Sequence, residues 1–398
     1  MADRISVGIE VLLVLLTLSG LAYLLIALWG ARDFAHFWQR KRKSGVEDFS
    51  PDVSILKPVK GADERMYAGF VSHCTQDYGG QIEILFGVSG LSDPAVVEVE
   101  RLRAEFPDCA IRLVECPERL GTSGKVSNLV QMLRTARYEH VLINDSDIFV
   151  GPHYLERVMA SFADATVGMV TAPYVGRAVP AQGDAAEKLT VWSRVEALGI
   201  STDFMPGVLT ARKLEGGIRF GLGSTLATTK TILAKAGGLE ALVESLADDY
   251  EMGLRIAAAG YRVELSDEVV ETAVPPYSLR GCWEHQMRWA RSTRDSRKWG
   301  YVGLGITYAV PWAVMACVVS GFALWSFSLL SLVLLARVAV ALSIGVGILH
   351  DGQVLRDLWL LPLRDCFALI VWVWSFAGDT VIWRGERFRL RDGQLERV

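Results

Sequence analysis

The pattern of hydrophobic and polar positions begins with a long apolar run. Residues 8–30 are interrupted by a single charge, Glu10. As a helix rising 1.5 Å per residue, this run is about 35 Å long, enough to cross the hydrocarbon core of a bilayer. A cleaved signal peptide is the alternative, but the run is too long for one and no A-x-A site follows it. We therefore expect a retained membrane anchor at 8–30.

Basic residues after this run predict its orientation. Arg32 and the stretch Arg40, Lys41, Arg42 and Lys43 follow the apolar residues directly. Because positive charges favour the cytoplasmic side, we expect the rest of the chain to enter the cytoplasm.

Residues 50–280 show a different pattern, in which short β-rich runs alternate with amphipathic stretches. The predicted strands are 53–56, 82–88, 111–114, 141–144 and 167–172, and the predicted helices are 94–105, 125–136 and 154–162. Alternation of this kind predicts βαβ units and an α/β fold with a mostly parallel sheet. Ligands bind such sheets at the carboxyl ends of the strands.

The last region is apolar again. Residues 301–349 predict two spans, 301–324 and 329–349, with a turn at 325–328, and Arg337 in the second should face a neighbouring helix or a cavity. Residues 350–383 are amphipathic and then apolar, and they form either a re-entrant segment or a third crossing. The basic segment 384–398 is a predicted cytoplasmic tail, which favours the re-entrant alternative.

The composition is typical of a membrane protein and excludes several classes of partner and structural site. The chain is 51% hydrophobic and 22% charged, and its mean hydropathy is +0.28. A net charge of −4 argues against a nucleic-acid partner. Six cysteines show no C-x-x-C pairing, so we expect neither a zinc module nor a disulfide framework, and a reducing compartment fits.

The loop after the fourth predicted strand carries the first candidate chemistry. Asp145 and Asp147 flank one serine in this loop, so both carboxylates can meet one divalent cation. Carboxylate oxygens suit Mg²⁺ or Mn²⁺, ions that usually also hold substrate phosphates. An ordinary turn is the alternative, because Asp and Ser are favoured in turns.

Three further polar groups could complete such a site. Asp93 follows the second strand, although it could simply cap the next helix. Asp248 and Asp249 open another helix, where the dipole favours acids, but a carboxylate in a cleft can also act as a general base. The segment 285–298 is rich in arginine and could be an interfacial helix on anionic lipid.

The order of these groups, flanked by apolar spans, resembles the ceramide glucosyltransferase family, glycosyltransferase family 21, which includes bacterial hopanoid glycosyltransferases. The segments that carry the resemblance are 53–61 (VSILKPVKG), 92–95 (SDPA), 125–129 (KVSNL), 145–148 (DSDI), 236–239 (AGGL), 248–250 (DDY), 288–289 (RW) and 383–390 (WRGERFRL). The resemblance implies a GT-A type catalytic domain, Rossmann-like with a mostly parallel sheet, at 50–280. It also implies an interfacial helix at 281–300 carrying the RW motif.

Roles follow from the resemblance by matching position. Asp249 would be the catalytic base, and Asp145 and Asp147 would hold Mn²⁺ or Mg²⁺ on the donor diphosphate. The residues implied to bind substrate are Lys57 and Asp93 at the uridine, Arg288 at the diphosphate, Trp289 at the acceptor, and Lys125, Asp145, Asp248 and His285. The implied partners are a UDP-sugar, a lipid acceptor and the membrane.

The sequence departs from the family's motifs at one position and matches them in full at another. The RW motif usually begins with Gln or Arg, where this chain has His285, which puts the role of that residue in doubt. The acidic pair Asp145 and Asp147 is complete, which favours metal binding.

The activity implied is inverting transfer of glucose from UDP-glucose to the primary hydroxyl of ceramide. An alternative is transfer of N-acetylglucosamine from UDP-GlcNAc to a hopanoid, which the bacterial character of residues 285–305 favours and which would place the protein in a bacterial inner membrane. A processive polysaccharide synthase is disfavoured by the few spans and by His285. A non-catalytic transporter or scaffold would not need four acidic motifs in this order.

Overall fold

The protein is described here from a computed structural model covering residues 2–43, 49–62, 65–180, 189–383, 386–391 and 393–397. Within these ranges the strands are β1 Val53–Pro58, β2 Ile82–Val88, β3 Ala110–Glu115, β4 His140–Ile143, β5 Val167–Thr171, β6 Tyr174–Ala178, β7 Leu226–Thr229, β8 Arg262–Leu265, β9 Val270–Val274, β10 Thr380–Trp383, β11 Glu386–Arg391 and β12 Gln394–Arg397.

The α-helices of the described residues range in length from 5 to 42 residues. They are α1 Ala2–Lys43, α2 Met66–Cys74, α3 Ala95–Glu105, α4 Gly124–Thr135, α5 Tyr154–Ala160, α6 Val191–Gly199, α7 Met205–Leu214, α8 Lys230–Lys235, α9 Asp248–Ala258, α10 Leu279–Ser296, α11 Lys298–Gly303, α12 Ala309–Val319, α13 Leu324–Val340, α14 Gln353–Asp357 and α15 Leu361–Ser375. Two π-helical segments, Ile200–Phe204 and Ala341–Val346, continue α6 and α13.

Residues 50–280, where a catalytic domain is expected, are named the catalytic body after that expectation. Their core is a seven-stranded sheet in the order β3-β2-β1-β4-β7-β5-β8. Strand β7 runs antiparallel to both its neighbours, and the other pairs are parallel. The five predicted strands correspond to β1–β5 and the three predicted helices to α3, α4 and α5. The predicted fold class, a mixed α/β body with a mostly parallel sheet and accompanying membrane helices, is confirmed.

The central strands bring the candidate residues to one edge of the sheet. Strands β1 and β4 pair in parallel, with Leu56 opposite Ile143, so their carboxyl ends meet. Strand β7 pairs antiparallel to β4, with Leu226 opposite Ile143. The residues that precede β7 therefore lie at the same edge as those that follow β4.

The apolar helices are long enough to cross a membrane in several places. By length and composition, the described residues contain three candidate spans, Val7–Lys43, Leu324–Val346 and Gln353–Ser375. A fourth candidate is a pair of helices, Lys298–Thr307 and Ala309–Val319, bent by 49°. These long apolar helices fit an integral membrane protein.

The bent pair replaces the straight span predicted at 301–324. Tyr308 leaves the helical conformation between the two helices. Pro311 then falls in the first turn of α12, where its missing N–H costs no helical hydrogen bond. The indole of Trp312 donates to the Gly305 carbonyl at 2.8 Å across the break, which fixes the bend.

The turn predicted at 325–328 is wrong, because these residues lie inside α13. The chain turns earlier, at Gly321, whose φ of 62° lies in the left-handed region that favours glycine. Ser326 and Ser328 donate to the carbonyls of Ala323 and Leu324. Their hydroxyls are thereby satisfied within the helix, so the two serines do not interrupt it.

Arg337 faces a neighbouring helix, as predicted. Its guanidinium donates to both carboxylate oxygens of Asp365 on α15, at 2.8 and 2.9 Å, and to the carbonyl of Thr202 at 2.9 Å. Thr202 belongs to the π segment between α6 and α7. This buried pair therefore ties the membrane helices to the catalytic body.

The arginine-rich segment near the C terminus forms a three-stranded antiparallel sheet, β10-β11-β12. One face of this sheet buries Val381, Phe388 and Leu390 against Leu246 of the catalytic body. The Leu246 N–H also donates to the Gly393 carbonyl. Residues before and after the membrane helices are thus in direct contact.

Candidate active site

A buried lysine on β1 donates a hydrogen bond to the loop after β4. Lys57 has no exposed surface, and its ammonium donates to the Asp145 carbonyl at 3.2 Å and lies 3.5 Å from Nε2 of His73. Burial lowers the pKa of Lys57 to about 7, against the attraction of Asp147 and Asp145. Burial and the Lys57 charge lower the pKa of His73 to about 3, so the ring stays neutral. Lys57 lies behind the loop, and its contact with a uridine remains a prediction.

A second lysine joins two of the acidic motifs. The Lys125 ammonium lies 2.8 Å from Oδ1 of Asp145 and 3.2 Å from Oδ2 of Asp248. Burial lowers the pKa of Lys125, but the carboxylates of Asp145, Asp248 and Asp249 outweigh it and raise that pKa above its ordinary value. Lys125 is therefore a fixed positive charge among three carboxylates. Ser123 begins its helix by accepting the Val126 N–H.

Asp249 lies in the first turn of α9, and its Oδ1 accepts the N–H of Tyr250 at 2.8 Å. Burial, followed by the negative charge of Asp248, raises the pKa of Asp249 to about 6, although Lys125 opposes the shift. A carboxyl group with this pKa can accept a proton near neutral pH.

A glycine lies between Asp145 and Asp249. A Cβ atom added to Gly223 would lie 3.2 Å from Oδ2 of each aspartate, so the two oxygens flank the same point. Hydrogen bonds hold the loop on both sides of this glycine, because the Leu222 N–H donates to the Thr171 hydroxyl and the Ser224 carbonyl accepts from Asn144. The glycine thus keeps open the space between the two carboxylates.

Asp147 and Asp93 have their hydrogen-bond partners outside this cluster. Asp147 accepts the hydroxyl of Thr272 from β9. Asp93 accepts the N–H of Gly61 at 2.7 Å and the N–H of Ala95 at 2.9 Å. Asp93 therefore does cap the start of α3, and it also joins that helix to the loop after β1.

The RW motif lies on α10 and is surrounded by aromatic rings. His285 stacks on Tyr277 at 5.4 Å between ring centroids and lies 5.1 Å from Trp289. Trp289 in turn lies 6.1 Å from Phe204. Burial raises the pKa of Tyr277 against the positive charge of Arg288.

Tyr174 connects this aromatic row to the carboxylates. Its ring lies 5.5 Å from that of Phe204. Burial raises the pKa of Tyr174, with further contributions from the negative charges of Asp249 and Glu196. The aromatic row therefore leads from the RW motif towards the candidate base.

The structure brings Lys125, Asp145, Asp248 and Asp249 into one cluster, with Asp147 on the same loop. His285 and Trp289 lie together at the other end of the aromatic row. Sequence reasoning missed Glu196, Thr272, Gly223 and Tyr174. Glu196 left the clearest signal, since it is a single acid within the apolar stretch 195–200.

The carboxylates fit a divalent cation shared with a phosphate ligand. Among the residues that the structure describes, no group of three or more His, Cys, Asp or Glu side chains could hold an ion by itself. Asp145 and Asp147 supply hard oxygen ligands, and three carboxylates, those of Asp145, Asp248 and Asp249, face the charge of Lys125. Mg²⁺ is typically bound by one or two carboxylates plus substrate phosphates. Asp145 and Asp147 thus suit this role.

Comparison with known proteins agrees with these features. Glycosyl transferase family 21 matches residues 12–396. Ceramide glucosyltransferase 1 of Caenorhabditis elegans is 27% identical over 257 residues, which cover 63% of this chain and 52% of the worm protein. Ceramide glucosyltransferase of Komagataella phaffii is 27% identical over 156 residues, covering 38% of this chain and 30% of the yeast protein. The chain spans about half the length of the worm relative.

Among solved structures, the chain is similar to the mannosyltransferase PcManGT from Pyrobaculum calidifontis, in complex with GDP-Man and Mn²⁺. The identity is 21%, the TM-score is 0.47, and the match covers 91% of this chain and 99% of that one. The family match over nearly the whole chain confirms the resemblance seen in the sequence. The chain therefore belongs to glycosyl transferase family 21.

Proposed function

We propose that this protein is an inverting membrane glycosyltransferase that moves glucose from UDP-glucose to the primary hydroxyl of ceramide. Membership in family 21 and the ceramide glucosyltransferases among its relatives support this proposal. The single observation that carries it is the position of Asp249, which flanks Gly223 opposite Asp145. A base would there lie beside the group that binds the leaving diphosphate.

The reaction we propose is one displacement. Asp249 takes the proton from the lipid hydroxyl as its oxygen forms a bond to the anomeric carbon, and the bond from that carbon to the diphosphate breaks to release UDP. Lys125 holds Asp145 and Asp248 in place, and Arg288 would donate to the diphosphate. Attack from the side opposite the leaving group would give a β-glycoside.

Asp145 and Asp147 would hold the divalent cation. When bound, Mn²⁺ or Mg²⁺ would stabilise the negative charge that develops on the leaving diphosphate. The protein's own part is to place the two carboxylates on one loop, which Lys57 fixes through the Asp145 carbonyl.

The acceptor lipid would approach from the membrane helices. Phe204 follows the Thr202 carbonyl that binds Arg337 of the membrane region, and its ring contacts Trp289 and Tyr174. In this proposal the aromatic row would run from the membrane towards Asp249. It would exclude water from the attacking hydroxyl and guide the apolar part of the lipid.

We further propose that the catalytic body and the C terminus lie on the cytoplasmic face of a membrane, a bacterial inner membrane being the expectation. The basic stretch at 40–43 supports the first part. The contact of Leu246 with Val381, Phe388 and Leu390 supports a shared side for the body and the C-terminal sheet. An even number of crossings must then separate them, so one of the three candidates after residue 297 does not cross.

The test is a panel assay on purified protein in nanodiscs. UDP-glucose, UDP-GlcNAc and UDP-galactose are each supplied with ceramide, with a polyol-tailed hopanoid or with no acceptor, and UDP release is measured. We expect ceramide to stimulate UDP release from UDP-glucose. Stimulation by hopanoid with UDP-GlcNAc would favour the alternative activity, and no stimulation by any lipid would contradict the proposal.

A further inference from the structure

A buried carboxylate that no step above uses lies on α6. Glu196 is 3% exposed. One of its oxygens lies 3.1 Å from Nδ1 of His285, and the other accepts from the side-chain amide of Gln286 at 2.7 Å and from the thiol of Cys282 at 3.8 Å. All three partners are on α10, the helix that carries the RW motif. The polar contacts of Glu196 therefore converge on one short stretch of that helix.

These contacts hold a charge in apolar surroundings. Val195 and Leu198 flank Glu196 and are buried with Cys282 and Met287 of α10. Burial opposes ionisation, but hydrogen bonds and attraction from His285, with further help from the Arg364 charge and Gln286, lower the pKa of Glu196 below its ordinary value. The carboxylate is therefore ionised at neutral pH. A buried ion persists only when its hydrogen bonds are satisfied, so α6 and α10 must keep this alignment.

The rest of α6 holds the chain that leads into α10. The Thr190 hydroxyl donates to the Tyr277 carbonyl, and the Tyr277 N–H donates to the hydroxyl of Ser193 at 2.8 Å. One turn further on, Glu196 holds His285 itself. The ring of His285 is thus fixed by a carboxylate on one side while it packs between Tyr277 and Trp289.

We propose that Glu196 is a positioning residue, which sets the orientation of His285 and, through ring packing, the face that Trp289 presents to the acceptor lipid. This inference rests on the proposed function and deepens it. Most of the groups proposed to bind the donor lie on other elements, since Lys125 is on α4 and Asp145 follows β4, whereas Arg288 is on α10. Loss of the Glu196 contacts should therefore impair the acceptor more than the donor.

The test compares Glu196→Gln with a matched control, Glu83→Gln. Glu83 is also buried and accepts the Ser54 hydroxyl and the Arg137 N–H, but it lies on β2, away from α10. Both variants replace a buried, hydrogen-bonded carboxylate by its isostere. For each we would measure the melting temperature, the KM for UDP-glucose, the KM and kcat for ceramide, and the hydrolysis of UDP-glucose without acceptor.

For Glu196→Gln we expect kcat/KM for ceramide to fall by about 10-fold or more, because small misplacements at a reaction centre are costly. The donor KM and the rate of donor hydrolysis without acceptor should change less than about 2-fold, because neither involves a contact with the acceptor. Glu83→Gln should lower stability and leave the ceramide kinetics unchanged. His285→Ala, which removes the ring and leaves Glu196 in place, should reproduce the acceptor defect, and the double variant should add little to either single change.

Several results would overturn the proposal. Equal ceramide kinetics for the two glutamine variants would reduce Glu196 to a structural role, and a joint rise of the donor and acceptor KM would remove its selectivity. If Glu196→Gln does not fold, unchanged ceramide kinetics in His285→Ala would serve as the refutation. If the native protein transfers sugar to no lipid, the proposed function fails first, which the same assay reports separately.

Discussion

Replacement of Asp249 by Asn tests the assignment of the base. The change keeps the size of the side chain and an oxygen that can accept the Tyr250 N–H, but it removes the ability to take a proton. Loss of a general base costs typically about 10²- to 10⁴-fold in rate. Loss of a helix-capping contact would instead cost about 1 kcal/mol of stability. We therefore expect Asp249→Asn to abolish most transfer and to leave UDP binding intact.

The raised pKa of Asp249 predicts the pH dependence of the native protein. Burial and the Asp248 charge raise this pKa to about 6, and only the ionised form can accept a proton. Below about pH 6, kcat/KM should therefore fall roughly tenfold for each pH unit. In Asp248→Asn the neighbouring charge is gone, so the acid limb should move to lower pH, with a milder loss of rate than in Asp249→Asn.

The same shift predicts the sign of the effect on stability. Because the folded state raises the pKa of Asp249 above its ordinary 3.8, folding favours the protonated carboxyl group. That stabilisation is fully present below about pH 4 and is lost as the pH rises through about 6. Asp249→Asn should therefore melt at a slightly higher temperature than the native protein at pH 7.5, and the difference should vanish near pH 4.

The assay combines initial rates of UDP release with ceramide, UDP affinity by calorimetry, and melting curves at pH 4 and pH 7.5. Near-native turnover in Asp249→Asn would refute the base assignment. A large drop in melting temperature without a specific loss of turnover would show that Asp249 mainly caps α9.

Three further predictions concern the metal, the glycine and the topology. Asp145→Asn or Asp147→Asn should greatly weaken turnover, as should EDTA until Mn²⁺ or Mg²⁺ is restored, and full activity in excess chelator would exclude the metal role. Gly223→Ala should lower kcat by roughly 10²-fold and weaken UDP binding, because its Cβ would lie 3.2 Å from an oxygen of Asp249 and from one of Asp145. Gly124→Ala, whose Cβ meets nothing within 4 Å, is the control. A reporter fused to the C terminus should read as cytoplasmic, and an external signal would refute the re-entrant alternative and require a further full crossing.

The sheet and its acidic loops were predictable from local sequence. Strands β1 and β4 are mostly apolar and buried, as parallel strands covered on both faces are, and the acidic pair begins two residues after β4. Once a parallel sheet is expected, the loops at the carboxyl ends must converge, and Asp145 and Lys125 do meet there.

Other features depend on contacts that local sequence does not reveal. The turn predicted at 325–328 contains two serines, whose hydroxyls are satisfied by carbonyls one turn back or less, so that α13 continues through them. The segment after residue 383 was interpreted by its charge, whereas the alternation of Phe388 and Leu390 with arginines reflects a strand with one buried face. Glu196 acquires its partners only when α6 packs against α10.

The most direct test of the central claim is the identity of the product. The native protein in nanodiscs is incubated with UDP-glucose labelled at the anomeric carbon and with ceramide, and the lipid fraction is analysed by mass spectrometry and NMR. The account predicts β-linked glucosylceramide formed in equal amount to UDP, and its loss in Asp249→Asn. An α-linked product, or UDP release without any glycolipid, would contradict it.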